Sequence, residues 1–306
     1  MSPWNRPLPS GDLIADRRFA YGVAAAEDGD FAAAAEMFEQ ALERAPGWPP
    51  ALFALGDARE ELGLGEGAAE AFRLAVAADP ADVLGASVRL ARLGATDPLT
   101  GLPRAYVTRL FDDYAPRFET HLVAALAYRG PALTIEALDA AAPGRRFAAA
   151  IDLGCGTGLM GAAIRDRVGR LEGVDLAPAM IAKARARGAY DALEAADAVE
   201  RLERSPPGAF DLILAADTLC YFGDLQPVFA ACRRALADGG LVAFTAETFD
   251  GEGFRLLEGL RFAHAPSYLE ATARAAAFRP VVLWRAWARR EADVEAPGLV
   301  GAFEAD

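Results

Sequence analysis

Several residue types are almost missing from this 306-residue chain. Lysine occurs once, as Lys183, asparagine once, as Asn5, and histidine twice, as His121 and His264. Two histidines cannot build a multi-histidine metal centre, so no metal site is expected. The cysteines are Cys155, Cys220 and Cys232, an odd number without metal-ligand spacing. That usage suits a reducing compartment, and a cytoplasmic location is expected. No apolar run reaches the roughly 18 residues of a membrane span, and the opening Met1-Ser2-Pro3-Trp4-Asn5-Arg6-Pro7 lacks the apolar core of a secretion signal. Positive charge is also short. The net charge is −13, and residues 1–97 hold 16 acidic against 8 basic side chains. A polyanion would be repelled, so nucleic acid is not expected as a partner. Alanine, arginine and glycine are abundant instead, which weakens alanine as a helix signal here.

The first stretch repeats itself. Gly22, Gly29, Ala34, Phe38, Ala41 and Pro46 recur 34 positions later as Gly56, Gly63, Ala68, Phe72, Ala75 and Pro80. The first glycine and the alanines allow helices to approach closely. The second glycine supplies a positive φ where a helix ends. Phenylalanine fills the gap between helices, and proline opens the turn to the next unit. Period and residue set resemble the tetratricopeptide repeat, a helix–turn–helix unit. Residues 82–93 read as a capping helix. Residues 1–96 are therefore expected to form a small all-α tetratricopeptide-repeat domain. It would either dock a peptide or protein partner or serve self-association and stability.

Residues 97–146 read as a helical connector or lid, opened by Asp97-Pro98-Leu99-Thr100-Gly101-Leu102-Pro103 and closed by Pro143-Gly144. From 147 to 306, apolar strands (148–153, 171–175, 192–195, 210–216, 240–246, 279–289 and 298–304) alternate with helices (158–168, 177–187, 198–204, 224–236 and 267–277). Alternation predicts an α/β fold, a Rossmann-like doubly wound parallel sheet of seven strands. No helix separates the last two strands, so they should pair antiparallel.

The first strand ends in Gly154-Cys155-Gly156-Thr157-Gly158 at the start of a helix. Glycines let a ligand approach the backbone, and a helix N-terminus offers free N–H groups. A glycine loop of this kind also serves nicotinamide dinucleotides, and Asp175, after the second strand, could hold ribose hydroxyls in either case. Three features favour a sulfonium cofactor. Asp152 stands where dinucleotide folds keep an apolar residue, Leu159 stands where they want Gly or Ala, and the sheet closes with a hairpin.

Ile151-Asp152-Leu153-Gly154-Cys155-Gly156-Thr157-Gly158 and the strand pattern over 147–306 resemble class I S-adenosylmethionine-dependent methyltransferases, whose final strand is antiparallel. The resemblance implies S-adenosyl-L-methionine as cofactor. It implies that Asp152, Gly154, Cys155, Gly156 and Gly158 form the cofactor loop, and that Asp175 accepts both ribose hydroxyls. Leu176 and Met180 would line the adenine pocket. Asp197, with Ala198, would meet the adenine amino group, and Ala216 and Leu219 would flank the methionine part. Asp197 could equally cap the following helix, and Cys155 reads as a small loop filler rather than a nucleophile. Tyr114-Ala115-Pro116-Arg117-Phe118 is similar to the lid of bacterial methyltransferases with appended repeats, which would put Tyr114 over the cofactor.

The acceptor is less legible. Acid/base candidates are His264, Tyr221 and His121, and further groups fall after the fourth strand (Asp217), after the fifth (Glu247) and before the last helix (Arg261). No Asn-Pro-Pro-Tyr-type motif follows the fourth strand, which disfavours planar nitrogens. The expected activity is methyl transfer to a small-molecule, carrier-borne or peptide/protein acceptor. The competing readings are a repeat scaffold whose Rossmann-like half only senses the cofactor, and a nicotinamide dehydrogenase.

Overall fold

The computed structural model describes residues 8–120, 127–291 and 294–306. They form two compact units that divide between Tyr106 and Val107.

The first unit is helical: α1 (Leu13–Glu27), α2 (Phe31–Arg44), α3 (Pro49–Glu61), α4 (Gly65–Ala78) and α5 (Ala86–Arg92). The sequence repeat is a repeated contact. A Cβ on Gly22 would lie 2.5 Å from the Phe38 ring, and one on Gly56 would lie 2.5 Å from the Phe72 ring. Gly29 and Gly63 turn the chain at φ 81° and 73°. Phe38 and Phe72 are buried, as are Ala34 and Ala68 beside them. The capping helix starts later than its sequence pattern suggests. Asp82, at φ 53°, folds back to accept from the N–H groups of Ala86 and Ser87 at 2.6 and 3.0 Å, and Gly85 turns the chain at φ 76°. These turns use up the first four residues of the pattern.

A sixth helix, α6 (Arg104–Tyr114), runs across the division. The second unit continues with α7 (Gly130–Ala141), β1 (Phe147–Leu153), α8 (Leu159–Ile164), β2 (Val168–Asp175), α9 (Pro178–Arg187), β3 (Ala192–Ala195), α10 (Ala198–Arg204) and β4 (Phe210–Ala215). It ends with α11 (Gln226–Ala235), β5 (Leu236–Thr248), β6 (Phe254–Leu256), β7 (Phe262–His264), α12 (Pro266–Ala275), β8 (Phe278–Glu291) and β9 (Val294–Ala305). Strands β3-β2-β1-β4-β5 are parallel neighbours in that order. The last strand, β9, runs antiparallel to β5 and to β8, as the missing helix between them requires. Gly298 makes that fit possible: a Cβ there would lie 2.6 Å from the Ala286 carbonyl oxygen and 3.1 Å from that of Ala246.

The sheet differs from the expected seven strands in one respect. β6 and β7 pair with each other, and β7 adds to the end of β5, making nine. Three residues each are too few to show a period of two. Alternate residues feed opposite faces of the sheet. Leu212 and Leu214 pack with Leu133, Met160 and Ile164 of α7 and α8. Ile213 and Ala215 pack with Leu202, Phe229 and Leu269 of α10, α11 and α12. Helices on both faces leave the carboxyl ends of the parallel strands open as a crevice.

Candidate functional site

The turn after β1 carries three left-handed glycines, Gly154, Gly156 and Gly158, at φ 63°, 54° and 88°. Gly154 has no room for a side chain, since a Cβ would lie 2.5 Å from Thr218 Oγ1. That hydroxyl donates to the Leu153 carbonyl at 2.7 Å and ties the end of β4 to the end of β1. Gly156 differs, because the nearest atom to a Cβ there would be 3.9 Å away on Phe118. The open space above Gly156 faces a cleft lined by Asp152, Asp175, Asp197, Leu176, Ala216 and Tyr221, among others. Phe111, Tyr114 and Phe118 also line it. Their rings pack edge to face, with Tyr114 5.2 Å from Phe118 and Phe111 5.3 Å from Tyr221. Asp112 fixes this aromatic segment by accepting from the Ala179 N–H at 2.9 Å, at the start of α9.

The carboxylates do structural work as well as lining the cleft. Asp175 accepts from the Gly156 and Ala177 N–H groups, each at 2.9 Å, and so braces the glycine turn. Burial pushes its pKa up to about 6 against those bonds. Asp197 caps α10 by accepting from the Glu200 N–H at 3.0 Å while also lining the cleft, so capping and exposure to a ligand coexist. Asp152 is buried, and burial pushes its pKa up to about 7. Burial likewise pushes the Cys155 thiol far up, which leaves it protonated and a poor nucleophile.

A second group of charges sits at the ends of β4, β5 and β8. Arg261 pairs with Asp217 and with Glu247, donates to Tyr221 Oη at 2.7 Å, and lies over the Tyr221 ring at 5.1 Å. Arg289 donates to Glu247 Oε1 at 2.6 Å and reaches Asp217 Oδ1 at 3.3 Å. Burial raises the pKa of Glu247, but the two arginines outweigh it and hold that carboxyl below its usual range. Asp217 is left-handed at φ 61°, an uncommon conformation for a residue with a side chain, and its backbone N–H is held by Thr245 Oγ1 at 2.8 Å. Asp217, Cys220 and Glu247 bring possible metal ligands within 4.8 Å of one another. The guanidinium groups of Arg261 and Arg289 already hold those carboxylates.

Residues 151–242 match the family model of a methyltransferase domain, and residues 25–93 match that of a tetratricopeptide repeat. The chain is 34% identical to the human methyltransferase-like protein 27 over 151 residues, which are 48% of this chain and 61% of that one. It is 36% identical to the malonyl-acyl-carrier-protein O-methyltransferase of Salmonella typhimurium over 104 residues, 33% of this chain and 40% of that one. It thus spans less than two thirds of the length of these curated relatives. Residues 151–242 are thus a methyltransferase domain. In fold the chain is similar to the 1,6-didemethyltoxoflavin-N1-methyltransferase of Burkholderia thailandensis, at a TM-score of 0.52 and 20% identity over 69% of this chain and 94% of that one.

The solved structure of that Burkholderia enzyme contains S-adenosylhomocysteine. Space over Gly156 admits a ligand against the backbone, and three carboxylates can meet hydroxyl, amino and ammonium groups. Of the residues singled out in sequence, the fold brings Tyr114, Asp152, Gly154, Cys155, Gly156, Asp175, Leu176, Asp197, Ala198, Ala216 and Tyr221 to the cleft wall. Four others lie behind it. Gly158 caps α8 from beneath the turn. Met180 packs with Ala115 and Ala177, with Phe111 and Phe118 against them. Leu219 belongs to the core under the sheet. His264 is fully buried, its Nε2 donating to the Phe222 and Gly223 carbonyls at 2.9 and 3.2 Å. His121 lies outside the described residues. Arg289 and Tyr128, which line the cleft, and Tyr190, which hydrogen-bonds Asp152 from behind it, are among the residues that sequence reasoning passed over. Arg289 comes from near the end of β8, 72 residues from Asp217, and no local pattern announces such a pairing.

Proposed function

We propose that this methyltransferase moves the methyl group of S-adenosylmethionine to an oxygen of a small or carrier-borne acceptor. The observation that carries this reading is a convergence. The glycine turn, the three carboxylates and the Asp217–Arg261–Arg289–Tyr221 group all open into one cleft. Bound there, the cofactor supplies an electrophilic methyl group on a sulfonium. Gly154 and Gly156 would take its methionine part against the backbone, Asp175 its ribose hydroxyls and Asp197 its adenine amino group. Phe111, Tyr114 and Phe118 exclude water from that end.

The remaining wall orients the acceptor, and orientation can supply much of the acceleration in a direct displacement. Arg261 and Arg289 both hold Oδ1 of Asp217. A carboxylate so fixed at the cleft can take the proton of a hydroxyl acceptor. Burial pushes the Tyr221 phenol well above its ordinary pKa, so it keeps its proton and serves as a donor. The Salmonella relative is itself an O-methyltransferase, which supports oxygen as the accepting atom. A peptide presented by the repeats is the less favoured acceptor, because every wall residue of the cleft falls between Val107 and Arg289.

The test has two arms. S-adenosylmethionine should raise the melting temperature, by the equivalent of about 2.7 kcal/mol near 100 times its dissociation constant, and NAD should not. With labelled cofactor and a panel of hydroxy and carboxy acceptors, Asp217→Asn should cut turnover on a hydroxyl on the order of 100-fold while leaving the melting shift in place. A shift with NAD alone would overturn the cofactor reading. Full turnover by Asp217→Asn on a hydroxyl would overturn the proton acceptor.

A further inference from the structure

Asp152 is a buried carboxylate at the cleft wall, and among the described residues it has no ion-pair partner. Among the described residues its one hydrogen bond comes from the hydroxyl of Tyr190, which donates to Oδ2 at 2.6 Å. The same hydroxyl accepts from the Gly161 N–H at 3.1 Å, in the first turn of α8. The Tyr190 ring is seated among three glycines. A Cβ on Gly158 would lie 3.1 Å from it, one on Gly173 2.9 Å, and one on Gly161 well inside contact. The turn after β1, the start of α8 and the strand β2 all leave room for this one side chain, and its only polar atom is spent on Asp152.

We infer that Tyr190 is a positioning residue for the cofactor, holding Asp152 ionised and aimed at the α-ammonium of the methionine part. The inference rests on reading the cleft as the S-adenosylmethionine site. A buried carboxylate without a cation is costly, so it either binds a proton or waits for a cationic ligand. The groups facing Asp152 do not favour its charge. Asp175 approaches from β2, the Cys155 thiol from the turn and the Tyr128 phenol from the segment before α7, and each is anionic or neutral. Burial and Asp175 push Asp152 up to about 7, and the Tyr190 hydrogen bond opposes them. A hydrogen bond to the ionised form favours that form. Tyr190 therefore sets the pH above which the carboxylate is ready to pair.

S-adenosylhomocysteine carries the same α-ammonium and is stable, so it is the probe. Its dissociation constant is measured by calorimetry on the full chain from about pH 5.5 to about pH 8.5. For the wild type, affinity should rise with pH and level off above about 7. Tyr190→Phe keeps the ring among its glycines and removes only the hydroxyl. Its midpoint should lie about one pH unit higher, which is a loss of about fivefold at pH 7 that grows towards about tenfold at lower pH and closes again at high pH. Asp152→Asn should bind weakly and lose the step near pH 7, keeping only the dependence near pH 6 that Asp175 brings, and Tyr190→Phe should add nothing in that background. A profile for Tyr190→Phe that superimposes on the wild type overturns the inference. So does an equal loss at every pH, which would make Tyr190 a packing residue only. Failure of the wild type to bind the probe at any pH would instead overturn the cofactor site itself.

Discussion

His264 shows how one side chain can mislead in sequence and inform in structure. As one of two histidines, beside a loop at the crevice end of the sheet, it has the composition of an acid/base group. In the fold its Nε2 faces two carbonyl oxygens, which assigns the proton to that nitrogen, and its Nδ1 is buried without a partner among the described residues. Burial pushes its pKa down to about 4 against the two hydrogen bonds. The sign for stability follows. The unfolded chain takes up a proton below about pH 6.5, while the folded chain resists until about pH 4, so stability is lost as pH falls through that window. At 1.36 kcal/mol per unit the loss is roughly 3 kcal/mol. His264→Gln cannot gain that charge. Asp152 and Asp175, with raised pKa values, act in the opposite direction in both proteins. Melting curves from about pH 4 to about pH 7 should therefore show the wild type losing stability relative to His264→Gln as pH falls. Parallel curves would refute the assignment.

At the scale of elements, packing overrides intrinsic preference. Ala for Gly in a helix interior normally stabilises by about 1 kcal/mol. In α3 the sign should reverse, because a Cβ on Gly56 meets the Phe72 ring at 2.5 Å and that ring is fully buried. Gly56→Ala is expected to destabilise the full chain by about 1–3 kcal/mol in denaturant unfolding, as overpacked cores do. The control is Gly67→Ala in α4. There the nearest atom would be the flexible end of Arg59 at 3.4 Å, so the change should be neutral or stabilising. Equal effects at the two sites would show that the Gly–Phe contact carries nothing. The 34-residue spacing made this contact readable, since one side-chain pair recurs in register. The hairpin of β6 and β7 was not readable, because its pairing is set by the end of β5 rather than by its own six residues.

On the scale of the whole molecule, the proposed cofactor cleft and the repeats fall on different stretches of the chain. All cleft-wall residues fall between Val107 and Arg289, and the chain divides just before Val107. A fragment of residues 107–306 should therefore bind S-adenosylhomocysteine within about threefold of the full chain, a difference under about 0.7 kcal/mol. A fragment that folds by circular dichroism but does not bind would place part of the site in the repeats. Among the described residues, no helix is long and apolar enough to cross a membrane. What the sequence determined by itself was whatever is written within a few residues of one position. The glycine turn, the acidic residues ending β1 and β2, the helical repeat and the unbroken step from β8 to β9 are of this kind, since backbone conformation and strand alternation are local properties. Only the tertiary structure decided which charges meet. Arg261 and Arg289 reach Asp217 from positions 44 and 72 residues away, and Tyr190 reaches Asp152 from 38. Such pairings depend on the order in which strands lie side by side, and that order comes from burying both faces of the sheet at once.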